Sequence, residues 1–332
     1  MATLLGSIFV FLLVVVLHEL GHFLVAKKVG IRVNEFSIGM GPGLYRRQGE
    51  ETLYSLRALP IGGYVAMEGE EESSEDPRSF GNASVGQRMA VVLAGAGMNF
   101  VLAIVGFFLA FLIMGTPTTS LGQVQAGSPA AQAGLEVGDK ILSINQVEMT
   151  SWEEIPLAID QSSGQVDLVV LREGQEEQVQ VATEDYEGRQ IIGISPQKTR
   201  NIPLSLKNAF LMTGMVIFSI VELFKLIFSG DFSIDMLSGP VGVVQFIGQS
   251  TKNGLGDLLF TLGFISANLG LVNLLPIPAL DGGKFVFLAI EGLRGKPVSE
   301  KLEVGLSMVG ISLLFALMIY VTVFGDLARI LG

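Results

Sequence analysis

Four stretches of this sequence carry almost no charge, and they restrict the fold before any other feature is considered. Residues 4–26, 89–114, 258–275 and 304–324 are each long enough to cross about 30 Å of hydrocarbon as a helix. A helix that is apolar on every side is stable only inside a large protein or in lipid. Composition decides for lipid. Charged residues make up 16% of the chain and hydrophobic ones 49%, with a mean hydropathy of +0.55, whereas soluble domains hold about 25% charged residues. The net charge of −11 excludes the basic face that a nucleic-acid partner needs. A cleaved signal peptide is the competing reading of 4–26, but no basic residue precedes that run and no small-residue cleavage site follows it.

Between the second and third runs, residues 115–203 change character. Residues 166–171 and 179–181 read as strands, Gly138-Asp139 as a turn, and 128–134 and 152–159 as short helices. The stretch is expected to fold as a small water-soluble α+β domain. Residues 204–228 are apolar too, but their longest charge-free core, 209–221, has only 13 residues. Runs of that length favour an amphipathic helix on the membrane surface. The expected fold is therefore α-helical and membrane-embedded, with four spans. Its divisions are 1–114 (spans one and two), 115–203, the surface helices 204–257, and 258–332 (spans three and four).

Basic residues orient the spans. Lys27, Lys28, Arg32, Arg46, Arg47, Arg57, Arg78 and Arg88 lie between spans one and two, and Lys284, Arg294, Lys296 and Lys301 between spans three and four. The positive-inside rule places both loops in the cytoplasm, and with them both termini and the 115–203 domain outside. A fifth span at 204–228 would put one basic loop on the wrong side. The acidic run 68–76 reads as a solvated loop. Residues 57–65, with Ile61, Gly62 and Gly63, form an apolar, glycine-bearing segment at the membrane. It suits a hairpin, or a strand whose edge pairs with an extended peptide.

Within the first run stands His18-Glu19-Leu20-Gly21-His22. On a helix, residues four apart share a face, so both imidazoles can reach one Zn²⁺, and Glu19 beside it can act as general base. The chain has only two histidines, so this spacing is a coincidence of under about 1% if they were placed at random. Three polar residues in an apolar run cost several kcal/mol without a purpose. Catalytic zinc needs a third protein ligand, and with no further histidine and no cysteine it must be a carboxylate. The best candidate is Asp281, in Asn273-Leu-Leu-Pro276-Ile-Pro278-Ala-Leu-Asp281-Gly282-Gly283. An N-cap role for Asp281 at the following helix is the plainer reading, and the two are compatible.

These motifs resemble the site-2 protease family of intramembrane zinc metalloproteases, in particular its bacterial RseP/RasP branch, over essentially the whole chain. Residues 127–145, beginning Gly127-Ser128-Pro129, resemble a PDZ domain. There is room for one such domain, which points to the single-PDZ form. The resemblance implies one zinc per chain on His18, His22 and Asp281, with Glu19 as base. It further implies that Asn273 contacts the substrate backbone and that the segment around Ile61, Gly62 and Gly63 is a membrane-associated β-hairpin that pairs with substrate. Gly95-Ala-Gly-Met-Asn99 is similar to a motif of the family's second span, whose plain role is close helix packing. The implied activity is cleavage of single-pass membrane proteins, such as anti-sigma factors or signal-peptide remnants, after a prior extracytoplasmic cut. The implied location is the bacterial cytoplasmic membrane, with the active site in its cytoplasmic half. Two rival classes remain. Intact motif residues weigh against an idle PDZ scaffold, and the lack of an internal repeat weighs against a metal transporter.

Overall fold

Helix α1 (Ala2–Val29) runs 28 residues in the computed structural model, which describes residues 1–70, 72, 74–162, 164–230 and 238–327. Glu71 of the acidic run and the last five residues of the chain lie outside the described residues. Helix α1 stops at Gly30, whose φ of +88° turns its amide back onto the last carbonyls, with Lys27 and Lys28 in the final turn.

Strands β1 (Val33–Gln48) and β2 (Leu53–Met67) follow. The sequence left residues 57–65 open between a hairpin and a strand with a free edge. β1 and β2 pair antiparallel, and each strand is also long enough to bend and pair twice. Ile38 pairs with both Gly63 and Leu56, Phe36 with both Val65 and Tyr54, and Arg47 with Tyr54. The result is a sheet of four runs in the order 63–67, 33–38, 53–57 and 43–48, so that 63–67 is an edge. Arg57 ties the runs together. It donates to Glu35, Ser37, Tyr64 and the Gly41 carbonyl, and Glu35 also accepts from Ser55. Helix α2 (Val85–Met114) follows.

Phe111–Ser205 forms a compact unit of its own. It holds β3 (Thr116–Val124), α3 (Pro129–Gln132), β4 (Lys140–Ile144), β5 (Val147–Glu148), α4 (Glu154–Asp160), β6 (Gln165–Arg172), β7 (Gln175–Ala182), β8 (Glu184–Tyr186), β9 (Arg189–Ile191) and β10 (Ile194–Thr199). The main sheet runs β10-β3-β4-β6-β7, with β5 beside β4, while β8 and β9 form a separate ribbon. Alternation along β6 turns Val166, Leu168 and Val170 inward onto Leu121, Ile141, Ile144 and Ile155. Ser128 caps α3 by accepting from the Ala131 amide.

Among the described residues, the other unit, Met1–Ala110 with Leu206–Gly332, continues through five helices. They are α5 (Ile202–Ser229), α6 (Pro240–Asn253), α7 (Leu255–Asn273), α8 (Asp281–Arg294) and α9 (Glu300–Tyr320), the last running on as a π-helical segment, Val321–Leu327. Val10, Val14, Leu102, Ile247 and Leu262 join α1, α2, α6 and α7 in one core. The buried Asp326 carboxylate accepts from the Gly239 and Gly242 amides, both at 3.0 Å, and so closes the N-terminus of α6.

Among the described residues, five helices are long and apolar enough to cross a membrane, one more than the sequence suggested. The addition is α5. Its buried side carries Ser205, Asn208, Ala209, Thr213 and Val216, while Leu206, Phe210, Leu211, Met215 and Phe218 face outward. A helix resting at a water surface turns its polar side out. Here the polar side is turned in, so the outward face of α5 suits lipid rather than water.

Candidate metal centre

The helical period of α1 places His18 and His22 one turn apart, with their Nε2 atoms 3.2 Å from each other. Asp281 reaches the same point from the start of α8. Its Oδ2 lies 3.2 Å from His18 Nε2 and 3.4 Å from His22 Nε2. Around a tetrahedral Zn²⁺ with bonds of about 2.0–2.1 Å, ligand atoms stand about 3.3 Å apart. All three separations match that edge.

The protonation state argues the same way. His22 Nδ1 is 2.8 Å from the Val91 carbonyl oxygen, which can only accept, so the proton sits on Nδ1 and the Nε2 lone pair faces the other two atoms. Asp281 Oδ2 is buried without a hydrogen-bond partner. Converging lone pairs repel unless a cation lies among them. The donor set, nitrogen with carboxylate oxygen and no sulfur, fits zinc.

Asp281 owes its position to a tight turn. The Ile277 amide donates to Leu275 and the Leu280 amide to Ile277, and Ala279 takes φ +88°. That left-handed conformation costs a non-glycine residue about 1–3 kcal/mol and persists only where its surroundings enforce it. Any Cβ on Gly282 or Gly283 would strike the carbonyls of residues 274, 275 or 277. Asp281 does not cap α8. The cap position is Leu280, with no side-chain hydrogen bond, and the Asp281 carboxylate turns to the imidazoles instead.

Helix α2 supplies what the motif lacks. Val91, Gly95 and Asn99 lie on one face at intervals of four. A Cβ at Gly95 would run into both histidine rings, so α2's backbone passes directly over them. Asn99 is fully buried, with its Nδ2 atom 3.2 Å from His18 Nδ1. The sequence likened Gly95–Asn99 to a family motif with close packing as its plain role and gave Asn99 no task at the site; the signal was that Asn99 is the one strongly polar side chain of that run.

A cavity of about 190 Å³ opens at the site, lined by His18, Glu19, His22 and Asp281 together with Val65 and Met67 of the edge run. A Cβ at Gly63 would lie 3.5 Å from Glu19 Cγ, so the edge runs alongside the candidate base. Glu70 and Lys284 line the same cavity and pair at 2.5 Å. Sequence reading missed both. Lys284 follows Asp281 by one turn of α8 and could have been noticed from that spacing. Asn273 ends α7 half-buried and does not line this cavity; Ile61 and Gly62 lie in β2, where Gly62 has φ +79°.

Comparison with known proteins gives a consistent result. The sequence profile of peptidase family M50 matches residues 6–317. The zinc metalloprotease RasP of Shouchella clausii is 32% identical over 419 aligned positions, which cover 99% of this chain and 100% of that one. The regulator of sigma-W protease RasP of Bacillus subtilis is 32% identical over 418 positions, covering 99% of each. A PDZ domain of an SdrC-like protein from Listeria monocytogenes aligns with 25% of this chain and 86% of its own, at 26% identity and a TM-score of 0.21.

Proposed function

The chain belongs to peptidase family M50 and is an intramembrane zinc metalloprotease; from that premise we propose how its residues divide the work and what it cuts. His18, His22 and Asp281 hold one zinc per chain, and Glu19 is the general base. The observation that carries this reading is the convergence of His18 Nε2, His22 Nε2 and Asp281 Oδ2 at 3.2–3.4 Å within an apolar helix bundle. When bound, zinc supplies a Lewis acid that acidifies water and polarises the scissile carbonyl. Glu19 takes the proton from the attacking water and delivers it to the leaving amine. The Val91 carbonyl fixes the His22 ring, and the apolar walls of Val65 and Val92 limit the water around the reacting bond.

The substrate is a single-pass membrane segment. A helical peptide bond is shielded and already hydrogen-bonded, so the segment must unwind before it is cut. The unpaired edge 63–67 offers main-chain partners for the unwound stretch beside Glu19. Gly62, Gly63 and the backbone at Ile61 let it approach closely, and Asn273 meets the substrate farther along. The Bacillus subtilis relative is named for the regulation of sigma-W, which favours anti-sigma factors as substrates, with signal-peptide remnants a second class. The membrane is the bacterial cytoplasmic membrane, crossed by α1, α2, α7 and α9, while α5 turns its apolar face to the lipid without crossing, which keeps both basic loops on one side. The basic loops face the cytoplasm, while both termini and the PDZ-like unit lie outside. That unit admits substrates already shortened by another protease.

The test uses the full chain in detergent with a transmembrane substrate. Glu19→Gln is expected to keep stoichiometric zinc by metal analysis and to lose cleavage by about 10²–10⁴-fold. A chelator should abolish wild-type cleavage. Full activity in the Glu19→Gln protein would remove Glu19 from the mechanism.

A further inference from the structure

Asn99 is a fully buried amide in the middle of an apolar helix, and two of its contacts conflict. Its Nδ2, a donor, lies 3.2 Å from His18 Nδ1, while its Oδ1, an acceptor, is buried with no partner. The conflict bears on His18 because of what the other side of that ring does. His18 Nε2 meets His22 Nε2 and Asp281 Oδ2 at 3.2 Å each. A ring that offers its Nε2 lone pair there carries its proton on Nδ1. Nδ1–H would then face an amide donor, with that amide's own acceptor stranded on its far side.

Turning the amide by 180° replaces the donor–donor contact with a hydrogen bond and moves the amide nitrogen to the place where the oxygen had no partner. The two orientations have the same shape, and their assignment follows from the partners. We infer that Asn99 is a positioning residue, whose Oδ1 accepts from His18 Nδ1–H and thereby fixes both the tautomer and the plane of the ring. This rests on the metal reading of His18, His22 and Asp281. Helix α2 then serves the two rings symmetrically. Val91 holds His22 through its carbonyl at 2.8 Å, and Asn99 holds His18 two turns further along the same face. Gly95 lies between them, where a side chain would displace both rings. Outer-shell partners of this kind raise ligand basicity and orient the lone pair.

Packing alone is the alternative, since Asn99 Cβ also lies close to α7 at Gly270. Two variants of nearly equal shape separate the roles. Asn99→Leu keeps the branching at Cγ, with somewhat greater bulk, and removes the acceptor, whereas Asn99→Asp keeps an acceptor oxygen in place. Zinc affinity of the full chain in detergent, measured by competition with a chelator, should fall about 10–100-fold in Asn99→Leu and stay within a few-fold in Asn99→Asp. Native affinity in Asn99→Leu would overturn the assignment. Should Asn99→Leu not fold, ¹⁵N-histidine spectra of the zinc-loaded native chain still decide, because only two histidines contribute. Protonated Nδ1 on both rings is the expected result, and a metal-bound Nδ1 on His18 would overturn it. A native chain that binds no zinc would sink the metal reading itself, and this inference with it.

Discussion

Asp139 in one unit and the partly buried Asp281 in the other are treated in opposite ways. Asp139, before β4, is 2% exposed and accepts from Arg172 Nε at 2.8 Å, Arg172 Nη2 at 2.6 Å and the Glu136 amide at 2.9 Å. Both of its oxygens are matched by donors inside the protein. Asp281, before the bulk of α8, points Oδ2 at two imidazole nitrogens and makes no hydrogen bond with that atom. Burying a charge is tolerated when it is paired and bonded. A carboxylate whose partners are all internal holds a fold together. One that faces other lone pairs is arranged for a cation.

That contrast breaks if the two aspartates respond alike. Asp281→Ala should abolish cleavage and weaken zinc binding by more than the roughly 10–100-fold typical of losing an outer-shell partner. In the metal-free protein it should leave thermal stability unchanged or higher, because it removes an unmatched acceptor. Metal analysis and thermal scans in chelator would check both. Arg172→Met should do the reverse: it strands the Asp139 carboxylate and costs about 3–5 kcal/mol, with zinc content untouched. Trp152 is the only tryptophan and packs against the core of the β-rich unit, so its fluorescence follows that unit within the full chain. A loss of zinc in Arg172→Met, or a large stability loss in metal-free Asp281→Ala, would erase the distinction.

The two halves of the candidate metal centre also differ in how far the sequence discloses them. His18, Glu19 and His22 are legible because a helix has a fixed period, so spacing along the chain is position in space. Asp281 is legible only by elimination and resemblance, since its place depends on the turn at 274–280 and on Ala279 in a conformation that no propensity announces. Val91, Gly95 and Asn99 meet the histidines because α1 and α2 cross with Gly21 against Ala94, a tertiary fact. The four-run sheet was hidden for a related reason. Each strand doubles back at glycines with positive φ, Gly39 and Gly41 in β1 and Gly62 in β2, and periodicity does not say which run pairs with which. The charge-free length of α5 says only that it is short for a span, whereas the pattern of Ser205, Ala209 and Thr213 against Phe210 and Phe218 shows which side packs inward.

A smaller effect sharpens the picture around Asp281. Lys284 pairs with Glu70 across the site cavity and lies over the Phe80 ring, tying α8 to the segment after the edge run. Both side chains are partly exposed, which limits the value of the pair. Lys284→Gln should therefore slow cleavage only a few-fold, through looser placement of α8 and the edge, while zinc stoichiometry stays at the native level. Exchanging the charges, with Glu70→Lys and Lys284→Glu together, should recover much of the rate. Lost zinc in Lys284→Gln would mean that the pair supports the metal centre itself.

Protonation of Asp139 itself changes nothing at neutral pH and appears only in acid. The Arg172 guanidinium, hydrogen-bonded to its carboxylate, holds Asp139 below the ordinary carboxylate range. A folded pKa below the unfolded value of about 3.9 means that the unfolded chain binds the proton more readily. The stabilisation is thus complete above that value and is lost as pH falls through the folded one. Unfolding followed by Trp152 should be flat in pH from about 5 to 8 and weaken below about 4. Arg172→Met should start from lower stability and show a shallower acid limb, since nothing then holds the Asp139 pKa down. Glu51, held at about 2 by Lys27 and Arg78, gives acid sensitivity of the same sign in the other unit. Its side chain is 25% exposed, so screening reduces the contribution, and Trp152 lies in the unit that does not contain it. An acid limb in the Trp152 signal that persists unchanged in Arg172→Met would therefore assign the sensitivity to some group other than Asp139.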